Sequence, residues 1–248
     1  MEQPDAIDGF TLDDAPLEVN HDGAVMSHWT YHGPRQGANL VILHELPGMS
    51  PACIALARRF IEHGFTVHLP LLFGQPGEFR LLKNFARICI SREIHAFAAN
   101  KTSPLVSWLR ILVAKLHEDS VGAGVGVIGM CLTGNFALTL IAEPAVGAAV
   151  ACQPSLPVFR AGALAMSPRD LSDAASRARS IGYGSVIGFR YAGDRLCGAQ
   201  KFDAISEAFG SAFDGMEVPG GQHATLTEDF DQSVFDRTLT YLQGRLMS

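Results

Sequence analysis

Short apolar runs recur along the chain at 39–43 (NLVIL), 65–69 (FTVHL), 125–128 (VGVI), 146–151 (VGAAVA) and 185–191 (SVIGFRY). Each is bounded by turn residues and is of strand length. A continuous run such as NLVIL, without polar alternation, is expected of a strand buried on both faces of a parallel sheet. Residues 24–32 (AVMSHWTYH) alternate enough to form an outer strand, and 212–218 form a short one. Helical segments fall between the strands. One starts at Ser50-Pro51, an N-cap followed by a first-turn proline, and runs to about His63, where Gly64 stops it. Ser103-Pro104 opens another, to about His117. Others cover 135–142, 168–180, 199–209 and roughly 229–245. This alternation predicts an α/β fold: a mostly parallel sheet with helices on both faces. No repeat, low-complexity tract or linker divides the chain, so residues 1–248 are read as one domain.

Residues 74–103 break the pattern. They carry Lys or Arg at 80, 83, 87, 92 and 101 against Glu only at 78 and 93, on a chain whose net charge is −6. This stretch is expected to be a partly helical, cap-like insertion over one edge of the sheet. The overall composition, 48% hydrophobic and 18% charged, describes a compact globule. A net negative charge gives no reason to expect nucleic acid or an anionic membrane as partner. No stretch approaches the ~20 apolar residues of a membrane span. The acidic start, MEQPDAIDGFTLDD, lacks the basic-then-apolar pattern of a signal peptide. The five cysteines, at 53, 89, 131, 152 and 197, are odd in number and form no CxxC. A reducing, cytoplasmic setting with at least one free thiol is the simplest reading. Oligomeric state is not legible.

The chemistry centres on residues 125–142. An apolar strand stops at Gly129, Cys131 follows at the tip of a turn, and Thr133-Gly134 leads into helix-forming residues. This is the strand–turn–helix of a nucleophile elbow, carrying Cys in place of Ser. The geometry predicts a thiol presented above the sheet, where the helix behind it favours the thiolate. Two further groups fall after strands: Asp194 in YAGD and His223 in GGQH. Loops that follow parallel strands gather at one edge, where open α/β folds bind ligands. The order nucleophile, acid, histidine is that of α/β-hydrolases. His223 would accept the thiol's proton and later activate water, while Asp194 would fix the imidazole's tautomer.

Competing readings weaken on inspection. Gly124 to Gly129 matches GxGxxG, but the apolar residues between those glycines are themselves the strand, whereas a dinucleotide site needs its glycines in the turn after one. The histidines at 21, 28, 32, 44, 63, 68, 95 and 117 show no ligand spacing, so no metal and no cofactor are expected. His44-Glu45 does not open an HExxH, because position 48 is Gly. Glutamine amidotransferases also carry Cys on an elbow, yet their acid lies two residues past the histidine, and this chain has Thr225 there.

With VILHELPGMSP, FTVHLPLLFG, GMCLTG, YAGD and GGQH in place, the chain resembles the dienelactone hydrolase family of α/β-hydrolases over most of its length. The family elbow is usually G-x-C-x-G-G, so Thr133 is a departure. The resemblance implies an α/β-hydrolase fold with Cys131 as nucleophile and Asp194 and His223 as partners. It adds Glu45 as a carboxylate beside the thiol that helps take its proton when substrate arrives. It also implies the backbone N–H of Leu46, beside that of Leu132, as oxyanion donors. The two arginines with which dienelactone hydrolases hold a substrate carboxylate are missing: their positions appear as Gln75 and Thr227. Arg92 and Arg80, in the basic insertion, are the candidates to replace them; the competing reading makes them a solvated helix face. The expected activity is cofactor-independent hydrolysis of a small ester or lactone, anionic if an arginine serves, through an acyl-cysteine. The alternative is a binding protein that keeps the fold without catalysis.

Overall fold

In a computed structural model of the chain, the described residues are 3–80, 84, 93–94, 98–118, 124–157 and 160–247. Residues 81–83, 85–92 and 95–97 of the basic insertion, Arg92 among them, lie outside these. Strands β1 (Thr11–Leu12), β2 (Leu17–His21), β3 (Ala24–His32), β4 (Asn39–Leu43), β5 (Thr66–Leu71), β6 (Val125–Met130), β7 (Val146–Cys152), β8 (Val186–Tyr191) and β9 (Phe213–Val218) form one mixed sheet. Its order is β1-β3-β5-β4-β6-β7-β8-β9, with β2 also paired to β3. The pairs from β5 through β4 and on to β9 are parallel; β3 is antiparallel to its neighbours.

Helices α1 (Pro51–Glu62), α2 (Leu105–Glu118), α3 (Gly134–Leu140), α4 (Pro168–Ile181), α5 (Ala199–Phe209) and α6 (Gln232–Leu246) cover both faces. The two-residue period of a strand sorts the core into two layers. Leu40 and Ile42 of β4 join Phe60 of α1 and Phe235 and Leu242 of α6 on one side. Val41 and Leu43 join Trp108 of α2, Phe136 of α3, Ala174 of α4 and Phe202 of α5 on the other. Local signals set the helix starts. Ser50 Oγ accepts from Cys53 N at 3.3 Å, ahead of Pro51. Ser167 Oγ accepts from Asp170 N at 3.1 Å, ahead of Pro168.

The sheet fixes where chemistry can occur. From β4 the chain crosses to β5 on one side and then to β6 on the other, so β4 and β6 are neighbours whose connections diverge. Such a switch point opens a crevice beyond the strands' carboxyl ends. Two differences from the sequence reading have simple causes. Strands β1 and β2 were not anticipated, because β1 has only two residues and β2, at the sheet's edge, offers only Leu17 and Val19 as apolar positions. The last helix starts at Gln232 rather than near 229, because Asp231 takes the cap, accepting from Ser233 N at 2.9 Å and Val234 N at 3.1 Å.

Candidate active site

Five adjacent strand ends supply the site. Glu45 follows β4, Cys131 follows β6, Gln153 and Ser155 follow β7, Asp194 follows β8 and His223 follows β9. The elbow begins where β6 gives way to a single 3₁₀ turn, Cys131–Thr133, that feeds α3. Cys131 has φ +51°, a left-handed backbone rare for a residue with a side chain. Gly129 permits this turn, since a Cβ there would stand 2.2 Å from the Thr133 carbonyl oxygen. Thr133, the departure from the family pattern, has a structural task. Its Oγ1 accepts from Met130 N at 2.8 Å and donates to the Leu43 carbonyl at 3.0 Å, tying the elbow to β4. The Cys131 side chain is not presented freely above the sheet: only 8% of the residue is accessible, and Ser155 Oγ lies 3.0 Å from its sulfur.

Asp194 Oδ2 and His223 Nδ1 are 2.7 Å apart. The other oxygen, Oδ1, accepts from Leu196 N at 2.8 Å and Cys197 N at 3.1 Å, so the carboxylate cannot turn away. Arg190, buried in β8, donates to the Cys197 carbonyl at 3.0 Å and holds that loop closed. The His223 loop has its own brace, because Asp229 Oδ2 accepts from His223 N at 3.0 Å and Ala224 N at 3.1 Å. His223 Nε2 is buried and makes no hydrogen bond. Burial alone would lower its proton affinity. The bond to Asp194 and the neighbouring Cys131 sulfur outweigh that and raise it.

Glu45 is 2% accessible, and a ligand atom of its carboxylate, the Cys131 sulfur and a ring nitrogen of His223 all lie within 4.8 Å of one another. Burial lifts its pKa from 4.5 to about 7, opposed by a hydrogen bond from Thr227, the His223 charge and a hydrogen bond from Gln153. Thr227 Oγ1 donates to Oε1 at 2.5 Å and Gln153 Nε2 to Oε2 at 3.3 Å. Gln153 in turn accepts from Thr225 Oγ1 at 2.8 Å. The position that would carry the amidotransferase acid thus holds Gln153 in place. Glu45, Cys131 and His223 form a donor set that a divalent cation would also fit. Both Glu45 oxygens, however, already accept hydrogen bonds within the protein.

Of the clamp positions, Thr227 is bonded to Glu45, and the candidate Arg92 lies outside the described residues. Gln75 is exposed. Arg80 is exposed and pairs with Glu78 at 2.7 Å. Leu46 and Leu132 directly follow Glu45 and Cys131, on the loops after the neighbouring strands β4 and β6. Sequence reasoning missed Ser155, Gln153, Asp229 and the bond from Thr227 to Glu45. It also gave His44 no task. His44 is fully buried, accepts from Leu72 N at 3.0 Å and is lowered by burial to about 4, so it is a neutral tie between the loops after β4 and β5.

A large cavity, about 1220 Å³, lies elsewhere, at the strands' amino ends among Asp13, His32, Arg35, Asn39, His68 and Lys115. Asn39 and Thr66 are the first residues of β4 and β5, which puts it at the edge opposite Cys131.

The fold is that of an α/β-hydrolase. More narrowly, the chain belongs to the dienelactone hydrolase family, whose pattern it matches over residues 27–183. That span includes Glu45 and Cys131; Asp194 and His223 lie beyond it. Among solved structures, a cold-adapted esterase from an Arctic intertidal metagenomic library is 13% identical. The alignment covers 98% of this chain and 97% of that one, with a TM-score of 0.65. Est1E from Butyrivibrio proteoclasticus is 12% identical over 94% of this chain and 99% of its own, at 0.56. The esterase EaEST from Exiguobacterium antarcticum is 11% identical over 88% and 96%, also at 0.56. These similarities describe the fold. No curated protein matches the chain by sequence.

Proposed function

We propose that the protein is a thiol hydrolase of small esters or lactones, with Cys131 as nucleophile, His223 as base and acid, and Asp194 as the group that orients it. The observation that carries this reading is the 2.7 Å pair of Asp194 and His223, with His223 Nε2 left unbonded in reach of the Cys131 sulfur. Asp194 accepts a hydrogen bond from Nδ1–H, which leaves Nε2 to take the thiol's proton. The thiolate attacks the substrate carbonyl carbon, and the carbonyl π electrons move onto oxygen. The backbone N–H groups of Leu46 and Leu132 hold that oxyanion; one such donor is typically worth roughly 3 kcal/mol in the transition state. The tetrahedral species collapses to a thioester, and the leaving oxygen takes the proton from His223. Water, deprotonated by His223, then cleaves the thioester and restores the thiol.

Glu45 is the second proton acceptor in this scheme. Its pKa near 7 places it half-titrated at neutral pH, suited to share the thiol proton. A thiol nucleophile needs a reducing compartment, and the cytoplasm is the setting this implies. A carboxylate-bearing substrate would need a cation near Cys131. Arg80 would have to leave Glu78 to serve, and Arg92 falls outside the described residues.

The test is a panel of neutral and anionic short-chain esters and lactones with the wild type and Cys131→Ala. Turnover by the wild type and its loss in the variant are expected. Wild-type inactivity across the panel would instead favour a binding protein that has kept the fold. Equal turnover by the variant would remove Cys131 from the mechanism.

A further inference from the structure

The loop after β7 brings a second hydroxyl-bearing residue to the thiol. Ser155 Oγ lies 3.0 Å from Cys131 Sγ, and Ser155 N donates to the Cys131 carbonyl at 3.0 Å, so the residue touches the nucleophile twice. Its backbone is held from both sides. Gln153 N donates to the Phe189 carbonyl at 2.6 Å. The next carbonyl along, that of Leu156, accepts from Asn135 Nδ2 at 3.0 Å and from Lys201 Nζ at 2.9 Å. Lys201 is a buried ammonium spent on this loop's carbonyls. At the elbow's far side, a Cβ on Gly134 would come within 2.9 Å of Pro154, so loop and elbow are in direct contact. Such bracing fixes where the Ser155 hydroxyl sits. The hydrogen bonds of the described residues give that hydroxyl no partner other than the sulfur.

We infer that Ser155 is a further catalytic residue, whose hydroxyl donates a hydrogen bond to the Cys131 thiolate and holds it ready for attack. This rests on the reading of Cys131 as nucleophile. The chemistry is simple. When the thiol proton passes to His223 Nε2, the negative charge left on sulfur lies on a residue only 8% accessible, where hydration is sparse. A charge-assisted O–H donor is among the strongest partners available there. No covalent bond to Ser155 forms or breaks. As the sulfur attacks a carbonyl carbon it loses charge, and the Ser155 hydroxyl is released to the acyl group beside it.

The test reads the thiolate without any substrate. Alkylation of Cys131 by iodoacetamide is followed against pH and assigned by peptide mass mapping, in the wild type, Ser155→Ala and Ser155→Thr. Cys53, Cys152 and Cys197 are buried, and burial raises each thiol, so they react slowly. Ser155→Ala should alkylate about tenfold more slowly at pH 7, with its pH profile moved upward by about one unit, as expected for loss of one hydrogen bond to a charged group. At high pH its rate should rejoin the wild-type plateau. Ser155→Thr, which keeps the hydroxyl, should recover most of the difference. A Ser155→Ala profile that superimposes on the wild type overturns the inference, and so does a rate lowered equally at every pH, which would mark a loop defect. Because the readout is alkylation, ester inactivity alone leaves the result interpretable, while a Cys131 that resists alkylation in the wild type would count against the nucleophile itself.

Discussion

Thr227 donates its hydroxyl hydrogen to Glu45 Oε1 at 2.5 Å. The position four residues past His223, where the family carries an arginine for the substrate, here serves the buried carboxylate instead. That bond lowers the carboxyl's proton affinity against the larger effect of burial. Thr227→Val should therefore raise it further. The acid limb of acylation, followed by stopped flow with an activated ester, is expected to move up by about one pH unit, while Thr227→Ser keeps the wild-type profile. An acid limb that stays in place in the valine variant would detach Glu45 from proton transfer.

Glu45 also makes a stability prediction. Its folded pKa, about 7, lies above the ordinary 4.5, so the folded chain holds a proton that the unfolded chain has released between those values. The sign is then fixed: stability falls as pH rises from 4.5 to 7, by at most about 3 kcal/mol from this group. Glu45→Gln should remove that slope in urea titrations at a series of pH values and should slow acylation at pH 7. Parallel pH–stability curves for the two proteins would contradict the assignment.

Buried histidines act in the opposite direction. Burial lowers His44 to about 4 and His68 to about 3, so unfolding allows each to take up a proton below 6.5. Stability should fall as pH drops from 6.5 toward 4, in opposition to the gain from Glu45. His44→Gln should flatten this acid-side loss, measured as melting temperature against pH, although the starting stability drops if the bond to Leu72 N is imperfectly replaced.

Asp194→Asn leaves the shape of the site but allows the amide to donate, which favours the wrong imidazole tautomer. Turnover should fall by roughly 10³–10⁴ with little change in melting temperature. Asp229→Ala, which removes the brace on the His223 and Ala224 N–H groups, should cost less activity, about tenfold, because the bond between Asp194 and His223 survives it. Comparable losses in both variants would mean that Asp229 does more than hold the loop.

The sheet was readable because LVIL at 40–43 and VGAAVA at 146–151 carry no polar residue, as expected of strands covered on both faces. Cys131, Asp194 and His223 were readable because each follows a strand-length segment, and adjacent parallel strands deliver their loops to one edge. Glu45 came only through the family resemblance, since a carboxylate after a strand carries no pattern of its own. Ser155 and Gln153 could not be found from the sequence. Their roles depend on which way the loop after β7 turns, and that is set by contacts to β8, α3 and α5 far away along the chain. Thr227 drew notice only as a missing arginine; its bond to Glu45 spans the molecule. Strands β1 and β2 escaped because two residues, and two apolar positions in five, are too short a pattern to single out.

The reaction chemistry is tested most directly by mixing the protein with an activated ester at mildly acidic pH, quenching within milliseconds to seconds, and measuring intact mass with peptide mapping. A mass increase equal to one acyl group, located on Cys131 and absent from Cys131→Ala, is the predicted result. Ester turnover with no acyl adduct at any time, or with the acyl group on another residue, would contradict the covalent thiol mechanism.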